Sequence, residues 1–154
     1  MVVGFFVWHN HSQDSSSHQS SQRSATSYFI ISKYFVRLPL TSELADLKES
    51  SPQPSAYNAN DDSVSVLAPH LDAGWKCAAD AAGHKAIIGN ILISLQGTEA
   101  ARTGFQPAAS KKIGNYTYSF YPVTGTSCVG NADISTFTQL QKLFASQFGQ
   151  LQSN

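Results

Sequence analysis

A stripe of apolar residues near the C-terminus constrains the fold of this chain more than any other feature. Apolar side chains recur there at spacings of three and four residues, at Ile134, Phe137, Leu140, Phe144, Phe148 and Leu151. This period predicts an α-helix of about five turns with one apolar face. Asp133 stands before the stripe as a suitable N-cap, and its carboxylate suits the positive end of a helix. Such a helix must bury its apolar face, so the rest of the chain has to supply a partner.

The partner that the sequence offers is a β-sheet. Four runs are dense in aromatic and β-branched residues, at residues 27–40, 63–69, 85–97 and 111–123. The first favours one bent strand or two short ones, and the second favours a strand that ends before Pro69. We therefore predict a single α+β domain over residues 28–152, with an antiparallel or mixed sheet of about four to five strands packed against the C-terminal helix.

The N-terminal part of the chain has a different composition. Residues 1–8, MVVGFFVW, are too short to span a bilayer, which needs about 20 apolar residues. Trp8 followed by polar residues is typical of the end of a transmembrane helix, so residues 1–8 are interpreted as the end of an N-terminal membrane anchor. The alternative is a short apolar segment that packs on the domain. Residues 9–27 are rich in Ser, Gln and His and predict a flexible linker.

The charge of the chain bears on its partners. Lys and Arg together number 10, as do Asp and Glu, and no cluster of basic residues is long enough to follow a phosphate backbone. We therefore expect no nucleic-acid partner. Charged residues make up 13% of the chain, against about 25% in an average soluble domain, and this composition favours an extracytoplasmic protein.

No catalytic, cofactor or metal site is expected from the motifs. The glycines are scattered singly rather than gathered in a phosphate-binding loop, and Ser127 and Cys128 do not form a GxSxG nucleophile elbow. The histidines of the linker lack the fixed spacing and supporting residues that a metal site requires. Tyr116, Tyr118 and Tyr121 form a candidate surface for recognition of carbohydrate or peptide, although some of them are expected to be core residues of a strand.

Cys77 and Cys128 fall in different predicted elements. In an oxidising compartment they would close a loop of about 50 residues, which stabilises a fold by roughly 4 kcal/mol. In the cytosol they would be two free thiols. The cysteines alone leave both readings open.

Several segments together resemble a family of bacterial surface proteins. YFIISKYFVRLPLTSELADL, SVSVLAPHLD before Cys77, and KKIGNYTYSFYPVTGTSC ending at Cys128, followed by the amphipathic helix, occur in that order. This order resembles uncharacterised single-pass membrane-anchored surface proteins of Saccharibacteria and related candidate phyla. The resemblance implies a domain on the extracellular side of the cell membrane and a disulfide between Cys77 and Cys128. It implies no activity, because none is established for the family.

The sequence thus predicts a non-enzymatic, membrane-tethered extracellular interaction domain. Its expected partners are the membrane, through the N-terminal anchor, and a host-cell surface or envelope component. One alternative is a small-ligand or solute-binding domain with a pocket between helix and sheet. Another is a pilin-like appendage subunit, in which a continuous helix would run from Val2 through Ser27.

Overall fold

The computed structural model describes residues 27–56, 58–72, 85–96, 106–124 and 133–154. Over these ranges the chain forms nine β-strands and one α-helix. In chain order they are β1 Ser27–Ile31, β2 Val36–Leu40, β3 Lys48–Glu49, β4 Gln53–Pro54, β5 Asp62–Asp72, β6 Lys85–Leu95, β7 Ala109–Ile113, β8 Tyr116–Pro122, α1 Ile134–Gln147 and β9 Gln152–Ser153.

The strands form two antiparallel sheets. The large sheet has the order β3-β5-β6-β8-β7, with β4 also paired to β5, and the small sheet has the order β1-β2-β9. The prediction of an α+β domain with a C-terminal helix is confirmed. The predicted four to five strands were too few, because β3, β4 and β9 have two residues each and because two of the strand-like runs each contain a hairpin.

The first of these runs, residues 27–40, forms β1 and β2. A 3₁₀ turn at Ser32–Tyr34 and a left-handed residue, Phe35, join the two strands. The turn is held on both sides: the Ser32 hydroxyl donates a hydrogen bond to Glu49 Oε1 at 3.1 Å, and the Asn154 amide donates one to the Phe35 carbonyl at 2.7 Å. The turn between β1 and β2 is therefore fixed against both β3 and Asn154.

The other run, residues 111–123, forms β7 and β8 with a two-residue turn at Gly114 and Asn115. Gly114 has a φ of 56°, a conformation that glycine adopts without a steric penalty and that two-residue hairpin turns require. Ile113 consequently pairs with Tyr116 at the end of the hairpin.

The sequence predicted a strand that ends before Pro69, but β5 continues past this residue. It continues to Asp72, and its ladder with β6 is irregular around the proline: β5 carries three more residues than β6 between the pair Ala68–Ala86 and the pair Asp72–Lys85. Proline lacks the N–H group that a regular ladder needs, and a bulge is a position where that loss is tolerated. The irregularity thus explains how the strand accommodates Pro69.

The C-terminal helix is shorter than predicted. α1 ends at Gln147, and a 3₁₀ turn at Phe148–Gln150 follows, so Phe148 and Leu151 lie beyond the helix although both are buried. Asp133 occupies the N-cap position but makes no capping hydrogen bond with its side chain.

The apolar face of α1 packs against both sheets. The ring centroid of Phe144 lies 5.4 Å from that of Phe29 on β1 and 4.8 Å from that of Phe120 on β8. The Gln141 amide also donates hydrogen bonds to the carbonyls of Ile88 and Val123, at 2.8 and 3.0 Å. Packed phenylalanine rings thus lie between α1 and the sheets, where the alternative hypothesis placed a ligand pocket.

Some predictions concern residues outside the described ranges. These are the anchor at residues 1–8, all but the last residue of the linker at residues 9–27, the helix from Val2 through Ser27 that a pilin would have, and both cysteines, Cys77 and Cys128. In the described part of the chain, no helix combines the length and apolarity needed to cross a membrane.

Candidate functional site

A cleft of about 510 Å³ opens at one end of the large sheet. We call it the aromatic cleft, and the residues that line it are Lys33, Tyr34, Phe35, Asn60, Asp62, Leu95 and Tyr116. Antiparallel pairing brings three of them together, because Asp62 begins β5, Leu95 ends β6 and Tyr116 begins β8. The turn between β1 and β2 contributes residues 33–35 from the small sheet.

The polar centre of the cleft is the Asp62 carboxylate. Its Oδ2 atom accepts a hydrogen bond from the Tyr34 hydroxyl at 2.6 Å and forms an ion pair with the Lys33 ammonium. The Asp62 side chain is 15% exposed and that of Lys33 is 57% exposed. No described residue donates a hydrogen bond to the other carboxylate oxygen, Oδ1. The contacts therefore fix the orientation of Asp62 and leave one oxygen available as an acceptor.

The two polar contacts also set the ionisation of these groups. Burial alone would raise the pKa of Asp62, but the hydrogen bonds from Lys33 and Tyr34, with the positive charge of Lys33, outweigh burial and lower it below 3.8. Burial, followed by the hydrogen bond to Asp62, raises the pKa of Tyr34 above its ordinary value. At neutral pH, Asp62 is consequently a charged acceptor and Tyr34 a neutral donor.

Three tyrosine rings pack together beside this centre. The centroid of the Tyr34 ring lies 5.1 Å from that of Tyr116 and 6.2 Å from that of Tyr118, and both contacts are edge-to-face. Such contacts stabilise a fold by about 0.5–1.5 kcal/mol beyond the burial of surface. Burial of Tyr118 raises its pKa to about 12. The Tyr34 ring is thus held by its hydroxyl on one side and by two rings on the other.

The rim of the cleft is apolar and exposed to solvent. Phe35 is 73% exposed, Leu95 46% and Tyr116 37%. Phe35 also has φ and ψ angles of 51° and 43°, in the left-handed region that a bulky residue rarely adopts. The most exposed aromatic ring of the described chain therefore sits on an unfavourable backbone conformation, beside the cleft.

The three tyrosines that the sequence proposed for recognition have different places in the structure. Tyr116 lines the aromatic cleft. Tyr118 lies on the same face of β8 as Tyr116, but it is 1% exposed and belongs to the core. Tyr121 is half-buried and pairs with Asn90 on the opposite face. The structure therefore brings Tyr116 and Tyr118 to one face, and only Tyr116 to a site that a partner can reach.

Sequence reasoning missed the other cleft residues. Lys33 and Asp62 are 29 positions apart, and neither belongs to a motif. One signal was present: Ser32 and Lys33 interrupt an aromatic and apolar run, and a polar interruption of this kind is typical of a turn. The turn places Tyr34 and Phe35 at its end rather than along a strand.

The histidine at position 70 has a structural contact. His70 forms an ion pair with Asp46, in the segment that precedes β3, and both side chains are exposed. Among the described residues, no three His, Cys, Asp or Glu side chains are grouped to hold a metal ion. The aromatic cleft offers hydrogen bonding and ring stacking as its chemistry.

Comparisons with protein-family models, with curated proteins and with solved structures found no match to this chain. The resemblance to surface proteins of Saccharibacteria and related candidate phyla stays a prediction.

Proposed function

We propose that this protein is a membrane-tethered extracellular binding domain without catalytic activity, and that the aromatic cleft is its binding surface. The observation that carries the proposal is Phe35, whose ring is 73% exposed on a left-handed backbone. Exposure leaves the ring without the gain of burial, and the conformation costs free energy. A ligand that covers Phe35 would recover the apolar contribution.

The rest of the cleft supports the same proposal. Exposed apolar side chains next to a few fixed polar groups are typical of ligand-binding surfaces. Phe35, Leu95 and Tyr116 supply the apolar part, while Lys33 and Asp62 supply the polar part. Sites held by packing and hydrogen bonds lose less entropy on binding, and the cleft is held by both.

The proposed location rests on the sequence of the N-terminal part. Residues 1–8 are proposed to be the end of the membrane anchor and residues 9–27, except Ser27, the linker, which leads into β1 at Ser27. Membrane fractionation tests this part: we expect the protein to pellet with membranes at high pH and to dissolve in detergent. Release by high pH alone would contradict the anchor.

Strand topology supports the proposed disulfide. β5 ends at Asp72, opposite Lys85, and β8 ends at Pro122, opposite Gly89. Both partners lie in the first half of β6, so β5 and β8 end at the same end of the large sheet. The segments that carry Cys77 and Cys128 follow these two strands directly. The aromatic cleft lies at the other end.

A small-ligand-binding domain is the second candidate, and the volume of the cleft favours it. Pockets for small molecules measure about 300–1,000 Å³, and the aromatic cleft measures about 510 Å³. The site would then be the cleft rather than the interface between α1 and the sheets.

The test compares two double variants of the full chain for binding to envelope fractions and intact host cells. Phe35→Ala/Tyr116→Ala alters the cleft. Tyr28→Ala/Ile30→Ala is the matched control, because Tyr28 and Ile30 are 38% and 42% exposed on β1. We expect the first pair to abolish binding and the control pair to retain it. Equal binding by both pairs, or loss only in the control, would contradict the proposal.

A further inference from the structure

The net charge of the aromatic cleft is close to zero although two charged side chains line it. Lys33 and Asp62 are the charged residues in the lining, and they neutralise each other in one ion pair. A charged ligand would have to compete with this pair, because each charge already has its partner. A neutral ligand with many hydrogen-bonding groups meets no such competition.

We propose that the ligand of the aromatic cleft is a neutral carbohydrate, an inference that rests on the binding function proposed above. One face of a pyranose ring presents polarised C–H groups, which suit the electron-rich face of an aromatic ring. Phe35 and Tyr116 supply such rings at the rim, and Leu95 adds apolar surface.

The polar groups of the cleft match the hydroxyl groups of a sugar. Each hydroxyl both donates and accepts, so neighbouring hydroxyls need acceptors and donors side by side. Asp62 Oδ1 is an acceptor, the Lys33 ammonium has protons beyond the one that it shares with Asp62, and the Asn60 amide offers both functions. Tyr34 holds the Asp62 carboxylate in place through its hydroxyl, so the acceptor is oriented before a ligand arrives.

The volume of the cleft indicates how many sugar units it can hold. At about 510 Å³, it falls within the range that accommodates a ligand of drug size, comparable to a disaccharide. An open rim lets a longer glycan continue beyond the cleft.

The experiment titrates the full chain with maltose, cellobiose, lactose and chitobiose by calorimetry and saturation-transfer NMR. The charged analogues digalacturonic acid and glucosamine disaccharide are run in parallel. We expect at least one neutral disaccharide to bind about tenfold more tightly than either analogue. Tyr116→Ala should weaken that binding about tenfold, while Tyr28→Ala, equally exposed on β1, should leave it unchanged.

A second arm separates this inference from the proposed function. Envelope fractions are oxidised with periodate, which destroys vicinal diols of glycans, and tested against the wild type and Phe35→Ala/Tyr116→Ala. Cleft-dependent binding that is lost on oxidation supports a carbohydrate ligand, even where it exceeds a disaccharide in length. Cleft-dependent binding that survives oxidation overturns the carbohydrate and leaves the binding function standing. Equal binding by the wild type and the cleft variant, or tighter binding of a charged analogue than of any neutral disaccharide, overturns the inference.

Discussion

At the scale of single residues, Phe35 shows most clearly that part of this chain is not optimised for stability. A non-glycine residue in the left-handed region costs roughly 1–2 kcal/mol, and the ring of Phe35 is mostly in solvent. Glycine would accept the same backbone angles without a steric penalty. We infer that Phe35 serves contact with a ligand rather than the fold.

Phe35→Gly tests this inference. We expect the free energy of unfolding to stay the same or rise by up to about 1 kcal/mol, because the left-handed strain disappears and only the added flexibility of glycine opposes the gain. Ligand binding should fall, because the ring proposed to contact the ligand is removed. Urea unfolding and calorimetry measure both quantities. A loss of stability above about 1 kcal/mol would mean that Phe35 supports the fold.

Asp62→Asn tests how the free energy of unfolding depends on pH. Since the fold lowers the pKa of Asp62 below 3.8, its ionised form contributes stability that is present above this value and lost as the pH falls through the folded-state pKa. The variant should therefore be less stable than the wild type at pH 7, and the difference should shrink below pH 3.8. Urea unfolding across this range is the measurement, and a difference that does not change with pH would contradict the assignment.

At the scale of elements, the contact between β6 and β8 depends on Gly89. A Cβ atom at this position would lie 2.6 Å from Phe120 Cζ and 2.7 Å from the Tyr121 carbonyl oxygen. The Phe120 ring fills this space and packs against the ring of Phe144 on α1. The absence of a side chain at Gly89 thus lets β8 support the helix.

Gly89→Ala should therefore destabilise the protein by about 1–3 kcal/mol or more, since overpacking forces rings and backbone to move. Gly149→Ala is the control, because nothing lies within 4 Å of a Cβ there. Thermal unfolding of both variants is the measurement. Equal unfolding temperatures would show that the core adapts to the added methyl group.

Elements with their own periodic pattern could be predicted from the sequence. β6, β8 and α1 have such patterns, and each was found. β3, β4 and β9 have two residues each and form because β5 or β2 lies beside them, so no local sequence pattern predicts them. The cleft residues divide in the same way. The pattern of β8 identified Tyr116, whereas the ion pair of Asp62 with Lys33 forms only when the two sheets pack together.

At the scale of the whole molecule, the large sheet has the proposed binding surface at one end and leads into the two cysteine-containing segments at the other. The aromatic cleft lies where β5 begins and β6 ends. The segments that carry the cysteines follow the opposite ends of β5 and β8. A disulfide there would stabilise the domain at a distance from the ligand.

We predict a single intramolecular disulfide between Cys77 and Cys128, detectable by mass spectrometry under non-reducing conditions. Reduction should lower the free energy of unfolding by roughly 4 kcal/mol, as expected for a loop of about 50 residues. Ligand affinity should not change while the protein remains folded. The variant Cys77→Ser/Cys128→Ser is the control and should not respond to reductant. Two free thiols in protein isolated from its native cells without reductant would contradict the pairing and count against the extracellular location.

The central claim is that the aromatic cleft is the binding surface. The most direct measurement is a map of amide chemical shifts in the full chain. The ligand added is the envelope glycan or disaccharide that the binding experiments identify. The account predicts perturbations at residues 32–35, 60–62, 95 and 116, with Tyr28 and Ile30 on β1 unaffected. Perturbations centred on β1 or α1, with the cleft unchanged, would contradict it.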